Sequence, residues 1–238
     1  MNGIITFLAA ILPAVLLWLY IWKKDQQPEP TSELVKAVLW GAGACLVAAL
    51  LEAAIETAIF GLDGTPSNIV ETTLVAFFSA AIPEESLKLL VLWLVLRKNP
   101  YFDEHYDGIV YAVSVGLGFA GLENIMYVMG EEAWVTVAIS RALLAVPGHY
   151  AFAIIMGYYY SIYHFVDHSP KVGACILLVP IILHGIYDAL AMSGLVDPVV
   201  GVISFFLLIY FCIKVHKFAR TKMLAQIERD MNGNSFVG

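Results

Sequence analysis

The chain has 238 residues, of which 60% are hydrophobic and 14% are charged, and its mean hydropathy is +0.79. Because soluble domains carry about 25% charged residues, this composition excludes an ordinary water-soluble globular protein. The formal net charge of −7 argues against a nucleic-acid-binding protein, which would favour clustered positive charge. Apolar stretches separated by short polar segments predict an all-α polytopic membrane protein.

Seven stretches are long and apolar enough to cross a bilayer, which takes about 20 residues per helix. In chain order they are residues 3–22, 35–60, 69–96, 108–129, 133–163, 172–192 and 199–215. We therefore predict a single transmembrane helical domain over residues 1–238. Residues 1–22 are its first helix, residues 34–215 are the bundle that carries the site, and residues 216–238 are a cytoplasmic tail. The tail has the composition of a short amphipathic interfacial helix ending at Gly233.

The basic residues predict the orientation of the chain. The loops at one side of the seven-pass arrangement contain Lys and Arg, whereas the opposite loops, near Asp63, Glu131 and Asp197, contain neither. Because basic loops remain in the cytoplasm, the N-terminus is predicted outside and the C-terminus in the cytoplasm. The basic residues concerned are Lys23, Lys24, Lys36, Arg97, Lys98, Lys171, Lys214, Lys217, Arg220, Lys222 and Arg229.

Ionisable side chains inside the predicted spans are the first candidates for function, because burying them in lipid is costly. Glu84, Glu123, His149 and His184 come from four different spans, and each lies 13 to 16 residues from the cytoplasmic end of its span. At a rise of about 1.5 Å per residue, these depths differ by about one helical turn. We therefore expect the four side chains to meet at one level, at or slightly beyond the midplane toward the outside.

The local spacings add partners to this level. Glu84 and Lys88 share a helical face, as do His184 and Asp188, because each pair is four residues apart. Asp188 is thus placed to accept the second ring N–H of His184. Two histidines and a carboxylate with one open position suit a catalytic zinc ion, and a free glutamate could accept a proton from water. The sequence contains no HExxH motif, so separate helices must assemble such a site.

Three motifs at these residues resemble those of the PrsW family of bacterial intramembrane proteases. They read EExxK at Glu84, Glu85 and Lys88, FxxxE at Phe119 and Glu123, and HxxxD at His184 and Asp188. The more distant CAAX and Abi proteases have EExxxR, FxxxH and HxxxN, so Glu123 and Asp188 place this chain on the PrsW side. The resemblance implies an intramembrane endopeptidase of the bacterial cytoplasmic membrane. It also implies site-one cleavage of a single-pass anti-sigma factor, in regulated proteolysis that serves an envelope stress response.

The leading hypothesis is a metal-dependent intramembrane protease. Glu84 activates water, Glu85 supports it or holds Lys88, and Asp188 orients His184. The predicted ligands of one divalent metal, taken as Zn²⁺, are Glu123, His149 and His184, and the supporting residues are Lys88, Asp188, Phe119 and Asn124. Arg141 is expected to be structural, pairing with Glu52, Glu56 or a lipid headgroup.

Three alternatives remain open at the level of the sequence. Paired glutamates without a metal could activate water directly. A proton- or cation-coupled transporter would also use buried Glu, His and Asp side chains, and the Pro147-Gly148 pair could mark a broken helix. A non-catalytic membrane scaffold would not need so many buried ionisable groups.

Overall fold

The computed structural model describes residues 3–60 and 66–234, and within those residues it contains helices and no strand. The predicted all-α polytopic membrane protein is confirmed. Asp63, used above to infer the orientation, lies outside the described residues. The α-helices are α1 (Gly3–Trp22), α2 (Thr31–Phe60), α3 (Ile69–Leu74), α4 (Ile82–Leu96), α5 (Asp107–Gly130), α6 (Trp134–Ser140), α7 (Val146–Phe165), α8 (Pro170–Met192) and α9 (Pro198–Asn234).

Six helical segments in the described part of the chain are long and apolar enough to cross a membrane. The predicted third span, residues 69–96, is helical throughout but is not among these six, because its charged side chains, Glu71, Glu84, Glu85 and Lys88, are too many for the criterion of composition. This stretch is a composite helix in which α3, a π turn over Val75–Ala81 and α4 follow one another directly. The α4 part has 15 residues and includes Glu84, Glu85 and Lys88, which makes it too short and too charged to qualify alone.

Two π turns lie immediately before the residues of interest. The first, Val75–Ala81, precedes Pro83, and the second, Arg141–Ala145, precedes Pro147. Proline lacks an N–H and clashes with the carbonyl four residues back, which disfavours a regular α-helix at that point. A widened turn relieves this conflict, and such turns are frequent at functional sites. Each turn thus sets the helical phase of the functional side chains that follow it.

Helix α5 is the centre of the bundle and packs against α1, α2, α4, α6 and α7. Glycines allow this close packing. A Cβ on Gly118 of α5 would lie 2.1 Å from the carbonyl oxygen of Val38 on α2, and one on Gly157 of α7 would lie 2.3 Å from that of Gly108. Backbone-to-backbone approach of this kind is typical of helix contacts in membranes. It brings α2 and α7 close enough to α5 for short side chains to meet between them.

The C-terminal tail is helical, and its helix ends at Asn234, next to the predicted end at Gly233. Helix α9 runs without a break over 37 residues, so residues 216–234 continue the last membrane helix. Its polar end is packed: Asp230 accepts hydrogen bonds from the backbone N–H groups of His105 and Tyr106, at 2.8 Å each. Gln226 donates to the carbonyl oxygen of Tyr158 at 3.3 Å. These contacts with the bundle explain why the polar segment stays helical.

Candidate active site

The start of α4 supplies three buried charged side chains. Glu84, Glu85 and Lys88 are 3%, 1% and 4% exposed, respectively. The ammonium group of Lys88 donates to Oε2 of Glu84 and to Oε1 of Glu85, at 2.8 Å each. It also lies 4.1 Å above the ring of Phe119, a cation–π contact. Phe119, predicted to be a supporting residue, therefore contacts the site through Lys88.

His184 on α8 lies between carboxylates of two helices. Its Nδ1 is 2.9 Å from Oε1 of Glu85, and its Nε2 is 3.1 Å from Oδ2 of Asp188 and 3.9 Å from Oε2 of Glu84. Phe152 of α7 stacks on the imidazole with a centroid distance of 5.2 Å. The structure therefore brings Asp188 to the ring nitrogen that the i,i+4 spacing suggested.

His149 on α7 connects the lysine to the carboxylate of Glu123 on α5. Its Nδ1 lies 3.1 Å from Nζ of Lys88, and its Nε2 lies 2.9 Å from Oε2 of Glu123. An ammonium group can only donate, so Nδ1 is the acceptor and Nε2–H is the donor to Glu123. This tautomer directs the lone pair of Nδ1 toward the ammonium group of Lys88, which also contacts Glu84 and Glu85.

Arg141 corrects one expectation from the sequence. Its Nη2 donates to Oε2 of Glu123 at 2.6 Å, and its Nε donates to Oδ1 of Asn124 at 2.8 Å. The carboxylate that Arg141 contacts is thus Glu123, and not Glu52 or Glu56 as expected. Asn124 in turn donates to the carbonyl oxygen of Ala10 on α1. The pair Arg141 and Asn124 thus links the carboxylate of Glu123 to α1.

Four of these side chains form a group with the geometry of a metal site. Glu84, Glu85, His149 and His184 each offer one ligand atom, and all four atoms lie within 4.8 Å of one another. All four residues are buried, and Oε2 of Glu85 has no hydrogen-bond partner. Two imidazoles and two carboxylates are donors that zinc accepts, so the residues present fit such an ion once the ammonium group of Lys88, which contacts three of them, moves aside. Glu123 is not in this group, because its carboxylate is engaged by Arg141 and His149.

A cavity of about 270 Å³ opens beside the group, on the side of α2. Glu84 and Glu123 line it together with Glu52 and Glu56 of α2, whereas Glu85 does not. Glu52 is predicted to be structural, although it lies 16 residues from Lys36 and so at a depth comparable to that of the site residues. The cavity gives Glu84 access to space that a water molecule or a peptide segment can fill.

The fold and the site define a polytopic membrane protein that buries a cluster of glutamates and histidines where its helices meet. A sequence model of PrsW-protease, the "PrsW family intramembrane metalloprotease", matches residues 29–214. The chain belongs to the PrsW family and is an intramembrane peptidase, as the resemblance of its motifs predicted.

Curated relatives agree with this assignment. A protein called Protease PrsW from Clostridioides difficile (strain 630) is 36% identical over 192 residues, covering 78% of this chain and 79% of that protein. The Protease PrsW of Geobacillus kaustophilus is 38% identical over 188 residues, with coverage of 78% and 79%. That of Bacillus subtilis (strain 168) is 33% identical over 223 residues, with coverage of 92% and 97%. No solved structure matches the chain.

Proposed function

We propose that the chain is a zinc-dependent intramembrane endopeptidase that cuts a single-pass membrane protein, such as an anti-sigma factor, in regulated proteolysis. The observation that carries the metal is the buried group of Glu84, Glu85, His149 and His184, with ligand atoms within 4.8 Å of one another. The description of the family as metalloproteases supports it. When bound, a zinc ion supplies Lewis-acid chemistry: it makes water more acidic and polarises a peptide carbonyl.

His149, His184 and Glu85 are the ligands we propose. Nδ1 of His149 accepts from Lys88 at 3.1 Å and becomes available to a metal ion when the lysine moves aside, and Nδ1 of His184 lies 2.9 Å from Oε1 of Glu85. Glu85 is fully buried, lies away from the cavity and keeps one oxygen without a partner. Glu123 and Asp188 hold the other nitrogens of the two histidines, which fixes the tautomer and the orientation of each ring.

Glu123 as the third ligand, the assignment made from the sequence, is the competing proposal. Metal content separates the two. If Glu85 is the ligand, Glu85→Gln loses zinc, whereas Glu123→Gln keeps the ion with about 10–100-fold weaker binding, as expected for a residue that orients a ligand. If instead Glu123→Gln loses zinc and Glu85→Gln keeps it, Glu123 is the ligand.

Glu84 is the proposed general base. It is the carboxylate of the EExxK motif that lines the cavity, so it can reach water there. It takes a proton from the attacking water and passes it to the nitrogen of the leaving peptide chain. Lys88, at 2.8 Å, balances the charge of the two adjacent carboxylates while Glu84 is ionised.

The proposed setting is the cytoplasmic membrane of a bacterium, with the N-terminus outside and the C-terminus in the cytoplasm. The one-sided distribution of Lys and Arg supports this orientation, and the relatives named above come from bacteria. In that orientation the site lies toward the outer half of the membrane. Cleavage there would release a substrate close to its external side.

The experiment is a paired measurement of metal and cleavage on protein purified in mild detergent without chelators. Wild type and the control His168→Ala, which removes an exposed histidine, should hold about one zinc per chain and cut a single-pass reporter. His184→Ala should lose both. Cleavage by a folded wild type that holds no zinc and resists chelators would refute the metal but keep the protease. A His184→Ala variant that keeps both zinc and cleavage would refute the proposed site.

A further inference from the structure

A second group of carboxylates lies at the end of the bundle where α1 stops and α5 begins. We call Asp25, Glu104 and Asp107 the rim cluster; each offers one oxygen, and the three oxygens lie within 4.8 Å of one another. Asp25 belongs to the segment between α1 and α2, Glu104 to the segment before α5, and Asp107 is the first residue of α5. Asp107 precedes Glu123 by 16 residues on one helix, about 24 Å at 1.5 Å per residue. The rim cluster is therefore separate from the candidate active site.

Two oxygens of the rim cluster are buried without a hydrogen-bond donor. Asp25 and Asp107 are 8% and 0% exposed, and Oδ2 of Asp25 and Oδ1 of Asp107 accept no hydrogen bond. Their other oxygens are used: Oδ1 of Asp25 accepts from the N–H of Gln27, and Oδ2 of Asp107 accepts from the N–H groups of Asp103 and Glu104. Because buried polar atoms are nearly always paired, the two bare oxygens point to a ligand.

The surroundings add further carboxylates and one lysine, Lys24, which lines the cavity beside the rim cluster. The carboxyl of Glu29 lies within hydrogen-bonding distance of that of Asp107, so a proton shared between them is the competing partner of Asp107, and burial raises the pKa of the Glu29 carboxyl to about 7. Asp230 adds a further carboxylate, and it is paired with His105 at 2.9 Å. Within residues 3–60 and 66–234, neither Asp25 nor Asp107 forms an ion pair with a lysine or an arginine. Buried carboxylates in this state are costly unless a cation or a proton neutralises them.

The space beside the rim cluster suits a single small ion. Asp25, Glu104 and Asp230 line a cavity of about 10 Å³, which is about the volume that one water molecule needs. Oxygen ligands of Mg²⁺ or Ca²⁺ lie about 2.0–2.6 Å from the ion, so ligand oxygens around one ion lie up to about 5 Å apart. The spacing within the rim cluster falls inside that range.

We propose that Asp25, Glu104 and Asp107 bind one divalent cation of the class that prefers oxygen ligands, represented by Mg²⁺, Ca²⁺ and Mn²⁺. The bound cation ties the segment after α1 to the start of α5. Tyr106, between two of the ligands, already donates from its hydroxyl to the carbonyl oxygen of Ile21 at 3.2 Å, so the cation adds to an existing contact. The proposal is independent of the proposed protease mechanism.

The test is thermal unfolding of protein that has been stripped of metal with a chelator and transferred into chelator-free detergent buffer. Mg²⁺, Ca²⁺ or Mn²⁺ is then added at ionic strength matched with KCl. At about 100 times its Kd, at least one of these cations should raise the unfolding midpoint of wild type by about 5 °C. The control Glu132→Gln, which neutralises an exposed glutamate far from the rim cluster, should respond like wild type.

Two variants separate the rim cluster from the candidate active site. Asp25→Asn and Glu104→Gln should each lose at least half of the rise in midpoint, whereas His184→Ala should keep it. Glu104 is partly exposed, so its variant is expected to fold even if the buried substitution does not. No rise in wild type with any of the three cations would overturn the proposal, leaving a proton shared with Glu29 as the partner of Asp107. An undiminished rise in Glu104→Gln would overturn it as well.

Discussion

The guanidinium of Arg141 donates to the carboxylate of Glu123 across 2.6 Å, joining the π turn before α7 to the centre of α5. The same carboxylate oxygen lies 2.9 Å from Nε2 of His149. One carboxylate thus faces a permanent cation on one side and the histidine of the candidate site on the other. This shared oxygen fixes where His149 points.

Removing Arg141 should destabilise the protein. In Arg141→Met, the carboxylate of Glu123 loses its guanidinium partner in a poorly solvated position, at a cost of about 2–3 kcal/mol in the free energy of unfolding. The double variant Arg141→Met with Glu123→Leu should recover most of this loss, since it leaves no unpaired charge. Chemical unfolding in detergent measures both. Equal stability of Arg141→Met and wild type would show that the pair contributes nothing.

Replacing the proposed general base should stop cleavage without loss of metal. Glu84→Gln keeps the size of the side chain but cannot accept a proton, so we expect cleavage to fall about 10²–10⁴-fold while zinc per chain stays near that of wild type. The matched control is Glu56→Gln, which alters another glutamate that lines the same cavity. Strong loss in the control, or none in Glu84→Gln, would contradict the role given to Glu84.

The contact between His184 and Asp188 predicts a change in metal affinity. Asp188→Asn cannot accept the Nε2–H of His184 in the same way, so zinc binding should weaken about 10–100-fold while the fold is kept. Competition with a chelator of known affinity measures the zinc affinity of each protein. Asp197→Asn, which alters the carboxylate at the start of α9, should leave zinc affinity unchanged. Wild-type affinity in Asp188→Asn would refute an orienting role.

Two glycines of α2 offer a matched pair for testing helix packing. A Cβ on Gly41 would lie 2.0 Å from the carbonyl oxygen of Val115 on α5, whereas one on Gly43 would meet no atom within 4 Å. Gly41→Ala should therefore lower the free energy of unfolding by about 1–3 kcal/mol, because the backbones of α2 and α5 must separate. Gly43→Ala should have little effect or a small stabilising one. Similar outcomes for the two variants would contradict the close approach of α2 to α5.

Much of the arrangement of helices could be predicted from the sequence. Apolar stretches gave the helices, and counting residues from the basic ends placed Glu84, Glu123, His149 and His184 at a common depth. Contacts between these side chains agree with that estimate. Depth is a property of position along a helix, so a periodic pattern and a charged end are enough to estimate it.

The remaining features depend on the direction in which each side chain points. Lys88 contacts His149, and Arg141 contacts Glu123. Both side chains are long and flexible, so residue spacing does not predict which partner each one contacts. The π turns before Pro83 and Pro147 shift the helical phase, which no hydropathy pattern records. The contacts that hold the polar end of α9 against the bundle, such as that of Asp230 with His105, join residues that are distant in sequence, so no local pattern predicts them.

Helix α9 is longer than a membrane crossing requires. Its 37 residues span about 55 Å, against about 30 Å for the hydrocarbon core of a bilayer. The surplus packs against the end of the bundle, with Asp230 bound to the two residues that precede α5. The last turns of α9 therefore hold the segment that leads into α5, the helix that carries Glu123.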